Sequence, residues 1–383
     1  MKKIMILSAC LLISLSACLQ DEAKTSEPIQ SQTTSKVSSA EKPDEVKLEG
    51  NYVVIESVYA NSNIMQVLQF NNRLIVLWNI DFEHYAIEAI EADSGKSLYA
   101  VELGTSRVYI EKTDLSKCDY RIIYKDKVEY RNSADKSMIE TYAIPEDVKE
   151  KMWVSEDISI VYTSFDIDIE ANMLTYSADD GIYLCDIDGN EVRQVLSNDD
   201  AINALQDAEL PDHDDSNLRY IAPMLFNGGE HLVSIVHLMT DGIYETAPFG
   251  ITVLDVGTGE KEHFTDISWL AWVRRNSDKT VGYNGKMSGY RIVDVETKEI
   301  FEPEFGVNPD RMSFDYSTFC QTEYNESVSK LYSYQSDTPS EQKELLFALN
   351  GSLSLCGVTE KYVVCLAFQY DSDSRSFVIS QYN

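Results

Sequence analysis

The stretch Asp166-Ile-Asp-Ile-Glu-Ala-Asn172-Met-Leu-Thr-Tyr-Ser177-Ala-Asp-Asp180-Gly181-Ile-Tyr-Leu-Cys-Asp186-Ile-Asp-Gly189-Asn-Glu-Val-Arg-Gln-Val-Leu196 decides the fold. Short runs rich in Ile, Leu, Val and Tyr alternate with turns built on Asn, Asp and Gly, and the stretch reads as four consecutive antiparallel strands. The same grammar recurs from Pro223 to Thr265, where Asn227-Gly-Gly-Glu230 and Gly257-Thr-Gly259 mark the turns. It recurs again from Trp269 to Phe301, and more loosely from Leu74 to Leu103. No long amphipathic helical period interrupts it.

Copies spaced by about 40 to 50 residues have the period of a four-stranded propeller blade. One such sheet cannot bury both of its faces, so neighbours must stack around an axis. The folded region from 50 to 383 divides into six to eight blades, and seven is the expectation. The C-terminus supplies three strands, near Leu353–Val358, Tyr362–Phe368 and Phe377–Gln381, and Tyr52–Tyr59 is expected to add the fourth and close the ring. The quoted unit resembles the repeat of TolB-like propellers, in which a polar turn precedes a strand ending in Ser, followed by Asp-Gly, an Ile-Tyr-Leu strand and a second Asp-Gly turn. That resemblance implies an all-β propeller. It is close only over Asp166–Leu196.

The N-terminus carries different information. Met1-Lys2-Lys3 is basic and is followed by an apolar run of about a dozen residues, shorter than the ~20 needed for a permanent spanning helix. Leu15-Ser16-Ala17-Cys18 then resembles the lipobox of bacterial lipoproteins. The resemblance implies a signal peptide over 1–17, a diacylglycerol thioether on Cys18, and a lipid-anchored protein facing the extracytoplasmic side of the cell membrane. Leu7-Ser8-Ala9-Cys10 spells the same letters, but only Ile4, Met5 and Ile6 precede it as an apolar run. Buried acyl chains contribute ~0.8 kcal/mol per CH₂. With such an anchor the remaining chain need not touch lipid. Residues 18–49 are polar, with almost no large apolar side chain, and read as a flexible tether.

The chain has 32 basic and 64 acidic residues, a formal net charge of −32. A surface this acidic repels phosphate backbones and anionic headgroups, so nucleic acid is excluded as a partner. Beyond the signal region lie Cys118, Cys185, Cys320, Cys356 and Cys365. An odd number without a C-x-x-C spacing argues against a metal knuckle or a full disulfide framework. Buried thiols are expected, with a Cys356–Cys365 bridge as the alternative in an oxidising compartment.

Catalytic signatures are missing from the sequence: no G-x-S-x-G, no H-E-x-x-H, no glycine-rich phosphate loop. Ser177-Ala-Asp-Asp-Gly181-Ile-Tyr-Leu184 approaches the Asp-box of sialidase-like propellers but has Leu184 where Trp belongs, and it reads as a folding turn. Asp186-Ile-Asp-Gly-Asn190 starts like a calcium loop, yet position six is Glu191 and position twelve Ser197, so it fails the EF-hand pattern. The acidic connection Asp199-Asp200, Asp207, Glu209, Asp212-His213-Asp214-Asp215 offers oxygen ligands, and Asp212, His213, Asp214 and Asp215 are the candidates for a divalent cation. No other cofactor is expected. His231 and His237 share a face of one strand but lie too far apart to chelate one ion.

These readings favour a non-catalytic surface lipoprotein whose propeller binds a protein, peptide or envelope glycan. The 23 tyrosines suit such contacts, though they serve sheet packing equally well. The alternatives are a propeller enzyme working from the central pocket (a glycosidase, lyase or lactonase) and an envelope sensor or assembly accessory.

Overall fold

The computed structural model describes residues 49–81, 83–104, 108–113, 115, 117–153, 164–205, 218–238, 250–265, 273–275, 279–284, 290–302, 318–325, 327–335, 343–370 and 374–382. Two short strands come first, β1 (Glu49–Gly50) and β2 (Val53–Val54). Five four-stranded antiparallel meanders follow. The first is β3 (Asn63–Phe70), β4 (Arg73–Asn79), β5 (Tyr85–Glu91) and β6 (Ser97–Gly104). The second is β7 (Tyr109–Lys112), β8 (Tyr120–Ile123), β9 (Lys127–Arg131) and β10 (Met138–Ala143). A one-turn helix, α1 (Glu146–Lys149), precedes the third, β11 (Phe165–Asp168), β12 (Met173–Ala178), β13 (Gly181–Cys185) and β14 (Arg193–Ser197). Helix α2 (Asn198–Ala204) leads to the fourth, β15 (Leu218–Phe226), β16 (His231–Leu238), β17 (Gly250–Asp255) and β18 (Lys261–Phe264). The fifth is β19 (Arg274–Arg275), β20 (Thr280–Asn284), β21 (Tyr290–Asp294) and β22 (Ile300–Phe301).

The remaining strands, β23 (Thr318–Asn325), β24 (Val328–Gln335), β25 (Glu344–Val358), β26 (Tyr362–Gln369) and β27 (Ser374–Gln381), form one seven-stranded sheet with β1 and β2. Strand β25 is shared between its halves. Residues 344–350 pair with β24 and 351–358 pair with β26. At the changeover stands Gly351, where an added Cβ would collide with the carbonyl oxygen of Phe368. Only glycine fits. Strand β2 pairs with β27 through Val53 opposite Ile379 and Val54 opposite Val378, and the Ile55 amide continues the ladder to the Phe377 carbonyl. The chain is therefore an all-β propeller with five four-stranded blades in sequence order and a further sheet joined to the N-terminal strands. Among the described residues no helix is long and apolar enough to cross a membrane.

The turns explain why the repeats fold alike. The first turn of three blades places an asparagine in the left-handed region: Asn71 at φ 53°, Asn172 at 56° and Asn227 at 51°. Asparagine tolerates that region better than most side chains. The third turn of the fourth blade is Asp255-Val-Gly-Thr-Gly-Glu260, and in the fifth it is Asp294-Val-Glu-Thr-Lys-Glu299. In both, the aspartate carboxylate accepts from the threonine amide, at 2.7 Å from Thr258 and 2.8 Å from Thr297. The left-handed position is Gly259 in one and Lys298, at φ 62°, in the other.

Hydrophobic clusters fill the seams between successive blades from the first to the fifth. Leu68, Ile75 and Ile87 of the first blade meet Ile110, Tyr120 and Ile122 of the second, and Val128 and Tyr130 of the second meet Phe165 and Leu174 of the third. Comparable clusters lie between the third and fourth and between the fourth and fifth blades. Val364, Phe377 and Ile379 pack on Leu74, Val76 and Trp78 of the first blade. Residues 55–62 cross this last seam. There the Glu56 amide donates to the Gly95 carbonyl, the Ser57 hydroxyl donates to the buried Glu88, and Tyr59 lies 6.2 Å from Trp78 between ring centroids.

Candidate functional site

The second strand of the second blade and the first strands of the third, fourth and fifth converge on one carboxylate. In β11 the side chains alternate, so Phe165 and Ile167 enter the hydrophobic interface with the second blade, while Asp166 turns the other way and is buried. Strand β8 alternates likewise: Tyr120 and Ile122 face the first blade, and Arg121 emerges toward the third. Directly across the ladder from Arg121 is Glu111 of β7, whose carboxylate accepts from Arg121 Nη2 at 2.7 Å and from Nε at 3.1 Å.

Arg121 Nη2 also lies 2.8 Å from Asp166 Oδ1, and its Nη1 donates to the Ile167 carbonyl at 2.9 Å. The second oxygen of Asp166 accepts from the Leu225 amide of β15 at 2.7 Å and is paired with Arg275 of β19. The Ile167 amide donates to Oδ1 at 2.8 Å. The Arg275 guanidinium stacks on Phe226, 4.6 Å from the ring centroid. Four blades are thus tied to one another through a single buried aspartate.

Burial by itself would raise the Asp166 pKa, but Arg121 and Arg275, with two backbone amides, hold it below the usual carboxylate range. Burial by itself would lower that of Arg121, and Asp166 and Glu111 instead raise it well above its ordinary value. The Asp166–Arg121 pair is therefore charged at neutral pH. Both Asp166 oxygens are already occupied, so this carboxylate has no free lone pair aimed at a reactant and cannot act as a general base without breaking the cluster.

Above the cluster is a cavity of about 210 Å³, bounded by Lys112, Thr113, Tyr130, Asp168, Glu170 and Arg275 together with Arg121 and Asp166. Its floor is the Asp166 cluster. Exposure increases along β11 and the following turn, from buried Asp166 through half-buried Asp168 to exposed Glu170. Lys112 is held by Glu360, from the turn between β25 and β26. Burial pushes the Tyr130 phenol up to about 12. The volume falls below the ~300 Å³ at which small-molecule pockets usually begin. A single side chain or a small solute fits it.

The residues singled out from sequence fall elsewhere. Leu15, Ser16, Ala17 and Cys18, and the cation candidates Asp212, His213, Asp214 and Asp215, lie outside the described residues. Of the same acidic stretch, Asp199 and Asp200 belong to α2, where Asp200 forms a capping box with Ser197 and pairs with Lys261 at 2.8 Å. Asp179 and Asp180 form the two-residue turn between β12 and β13. Asp186 accepts the Asn190 amide at 2.7 Å, which closes a tight turn.

His231 and His237 share the continuous strand β16 and are buried. Among the described residues no three His, Cys, Asp or Glu side chains are grouped to hold a metal ion. The alternative Cys356–Cys365 bridge is absent: both thiols are free. Cys356 sits at a bulge and packs toward the first blade, whereas Cys365 points to the opposite face of the sheet. The Asp166 cluster itself was not foreseen from sequence, although its local signal, an aspartate between Phe165 and Ile167 in a strand, lies within the stretch quoted first.

Fold and site together define a β-propeller with a charged cavity lined by its second to fifth blades. The chain matches no protein-family model, and no curated protein matches it. Among solved structures it is similar to the β-propeller domain of Cps50 (Swd1) from Myceliophteria thermophila, at 11% identity and a TM-score of 0.47, over 86% of this chain and 99% of that one.

Proposed function

We propose that this protein is an exported lipoprotein, anchored through acylated Cys18, whose propeller binds a protein, peptide or envelope glycan without catalysing a reaction. In this reading the ring has seven blades. The sixth is built on β23, β24 and the first half of β25. The seventh is the second half of β25 with β26, β27 and β2, so that the strand nearest the tether closes the circle.

The observation that carries the binding reading is the saturation of Asp166. Its two oxygens are shared among two arginines and two backbone amides. A propeller glycosidase would need a pair of carboxyl groups free to donate and accept protons across a substrate. In this cavity the buried carboxylate, Asp166, is instead taken up in fixing the floor, as a preorganised recognition surface requires, and the two open ones, Asp168 and Glu170, both belong to the end of β11 and the turn after it rather than to opposite sides of a substrate.

The test is expression in a bacterial host with an alkyne-palmitate label, followed by detergent extraction of membranes and identification of what co-purifies. Labelling lost in Cys18→Ser, with a partner recovered in both detergent and crosslinked samples, supports the reading. Recovery of the protein alone, together with turnover of a glycan library, would overturn it.

A further inference from the structure

We propose that the charged cavity receives a cationic side chain, an ammonium or guanidinium on an aliphatic stem, presented by a basic segment of a peptide or protein partner. The inference rests on the binding reading above and names the chemistry of its ligand.

The charges of the described walls, taken with the residues paired to them, do not balance. Lys112, Arg121 and Arg275 are the cations, and each is committed: Lys112 to Glu360, Arg121 to Glu111 and Asp166, Arg275 to Asp166. Against these three stand five carboxylates, because Asp168 and Glu170 also face the cavity and neither has a cationic partner among the described residues. Among the described residues Asp168 accepts only the Ala171 amide, at 2.9 Å through Oδ1, and its other oxygen has no partner there.

The excess negative charge sits toward the mouth, where Glu170 is exposed, and the neutralised charge sits on the floor. A cation entering from solvent meets the uncompensated pair first. Its aliphatic stem has Leu115, Ile169 and Tyr130 to pack on. The −32 field of the whole chain adds steering toward the same sign.

Volume and donor count narrow the occupant. At about 210 Å³ the cavity admits one long side chain and excludes an oligosaccharide. A calcium ion takes six to eight oxygen ligands, and among the described residues no group of three ligating side chains is present. An organic cation needs only the two carboxylates and an apolar sleeve.

Calorimetric titration of the purified full-length protein with capped pentapeptides bearing a central lysine, arginine, glutamine or glutamate tests this. The lysine or arginine peptide is expected to bind at least tenfold more tightly than the glutamine peptide. That advantage should shrink between about 50 mM and about 500 mM salt and disappear in the double variant Asp168→Asn/Glu170→Gln. The melting curve of this variant should match the parent, because the side-chain carbonyl of the introduced asparagine still accepts the Ala171 amide. Equal affinity for neutral or acidic peptides, or an unchanged advantage in the double variant, would refute it. Calcium binding without peptide binding would refute it as well. If no peptide binds while the membrane-extracted protein still captures a partner, the cationic ligand is wrong and the binding reading stands. If capture fails too, both fall.

Discussion

Arg121 Nη2 stands 2.8 Å from Asp166 Oδ1, so a side chain from the second blade is fixed to the first strand of the third, and Arg275 grips the other oxygen from the fifth. The side chains of Arg121 and Asp166 are 8% and 6% exposed. At that depth a charge is tolerated only because its partners replace water. The cluster is a fastening between blades that also sets the charge of the cavity floor.

Replacing Asp166 by Asn would leave Arg121 and Arg275 buried with one neutral amide in place of their shared counter-charge. Breaking a buried pair in this way costs about 3–5 kcal/mol. Denaturant unfolding should show a loss of that order for Asp166→Asn. Lys149→Ala is the comparison, because Lys149 pairs with the exposed Glu146 at 2.9 Å, where a surface ion pair contributes under about 1 kcal/mol. Equal losses would show that the cluster does not hold the blades.

Acid should act on the same residue. Asp166 has its pKa lowered in the folded state, so its contribution to stability is fully present above the ordinary carboxylate pKa of about 4 and is lost as pH falls through the depressed folded value. Stability of the parent should therefore fall below about pH 4 more steeply than that of Asp166→Asn, which has no carboxylate to protonate there. Parallel pH profiles would contradict the assignment.

Much of this architecture is written locally. Alternation in Phe165-Asp166-Ile167-Asp168 and the Asn172 and Asp180-Gly181 turns specify four strands, because each signal acts within a few residues. Strand β25 was harder to read. Its apolar residues resume after Gly351, which in isolation marks the start of a strand, whereas the glycine is the point where one continuous strand changes partners. The Asp166 cluster was not legible at all. Periodicity tells which face of a strand is buried, but not that Arg275, 109 residues away, will meet Asp166. Of the acidic run beginning at Asp199, Asp200 is the N3 partner of Ser197 in the capping box of α2, a local role that charge counting alone does not reveal.

The cysteines give a prediction about packing. Burial raises the thiols of Cys185 and Cys356 to about 11 and of Cys320 to about 12, and holds Cys365 well above its ordinary value. Thiolate, the reactive form, is scarce at neutral pH. In a Cys10→Ser/Cys18→Ser variant, iodoacetamide at pH 8 should label little in the native protein and all five thiols after unfolding. Rapid native labelling of Cys365 would contradict the packing described.

The two matching turns yield a stabilising change. Lys298 occupies the left-handed position that Gly259 fills in the preceding blade. A non-glycine residue there costs about 1–2 kcal/mol of backbone strain, partly offset by the entropy that glycine loses on folding. Lys298→Gly should raise stability by about 1 kcal/mol in thermal or urea unfolding. A loss would mean that the lysine makes contacts outweighing its strain.

The seam between the N-terminal segment and the first blade can be probed by two glycines. Gly95 has φ +71°, and an added Cβ would collide with the Val54 carbonyl oxygen. Gly228 has φ +61° and nothing within 4 Å of the same position. Both Gly→Ala changes incur the left-handed strain of about 1 kcal/mol, but only Gly95→Ala must also push β2 away from β27. It should therefore cost more than about 2 kcal/mol and expose residues 49–62 to limited proteolysis before any other segment. It should also increase aggregation, since the freed edge of β27 presents unpaired backbone groups. Gly228→Ala should show the smaller loss with an unchanged cleavage pattern. If the two variants lose equal stability and are cut alike, β2 contributes nothing measurable to holding the sheet that β27 ends.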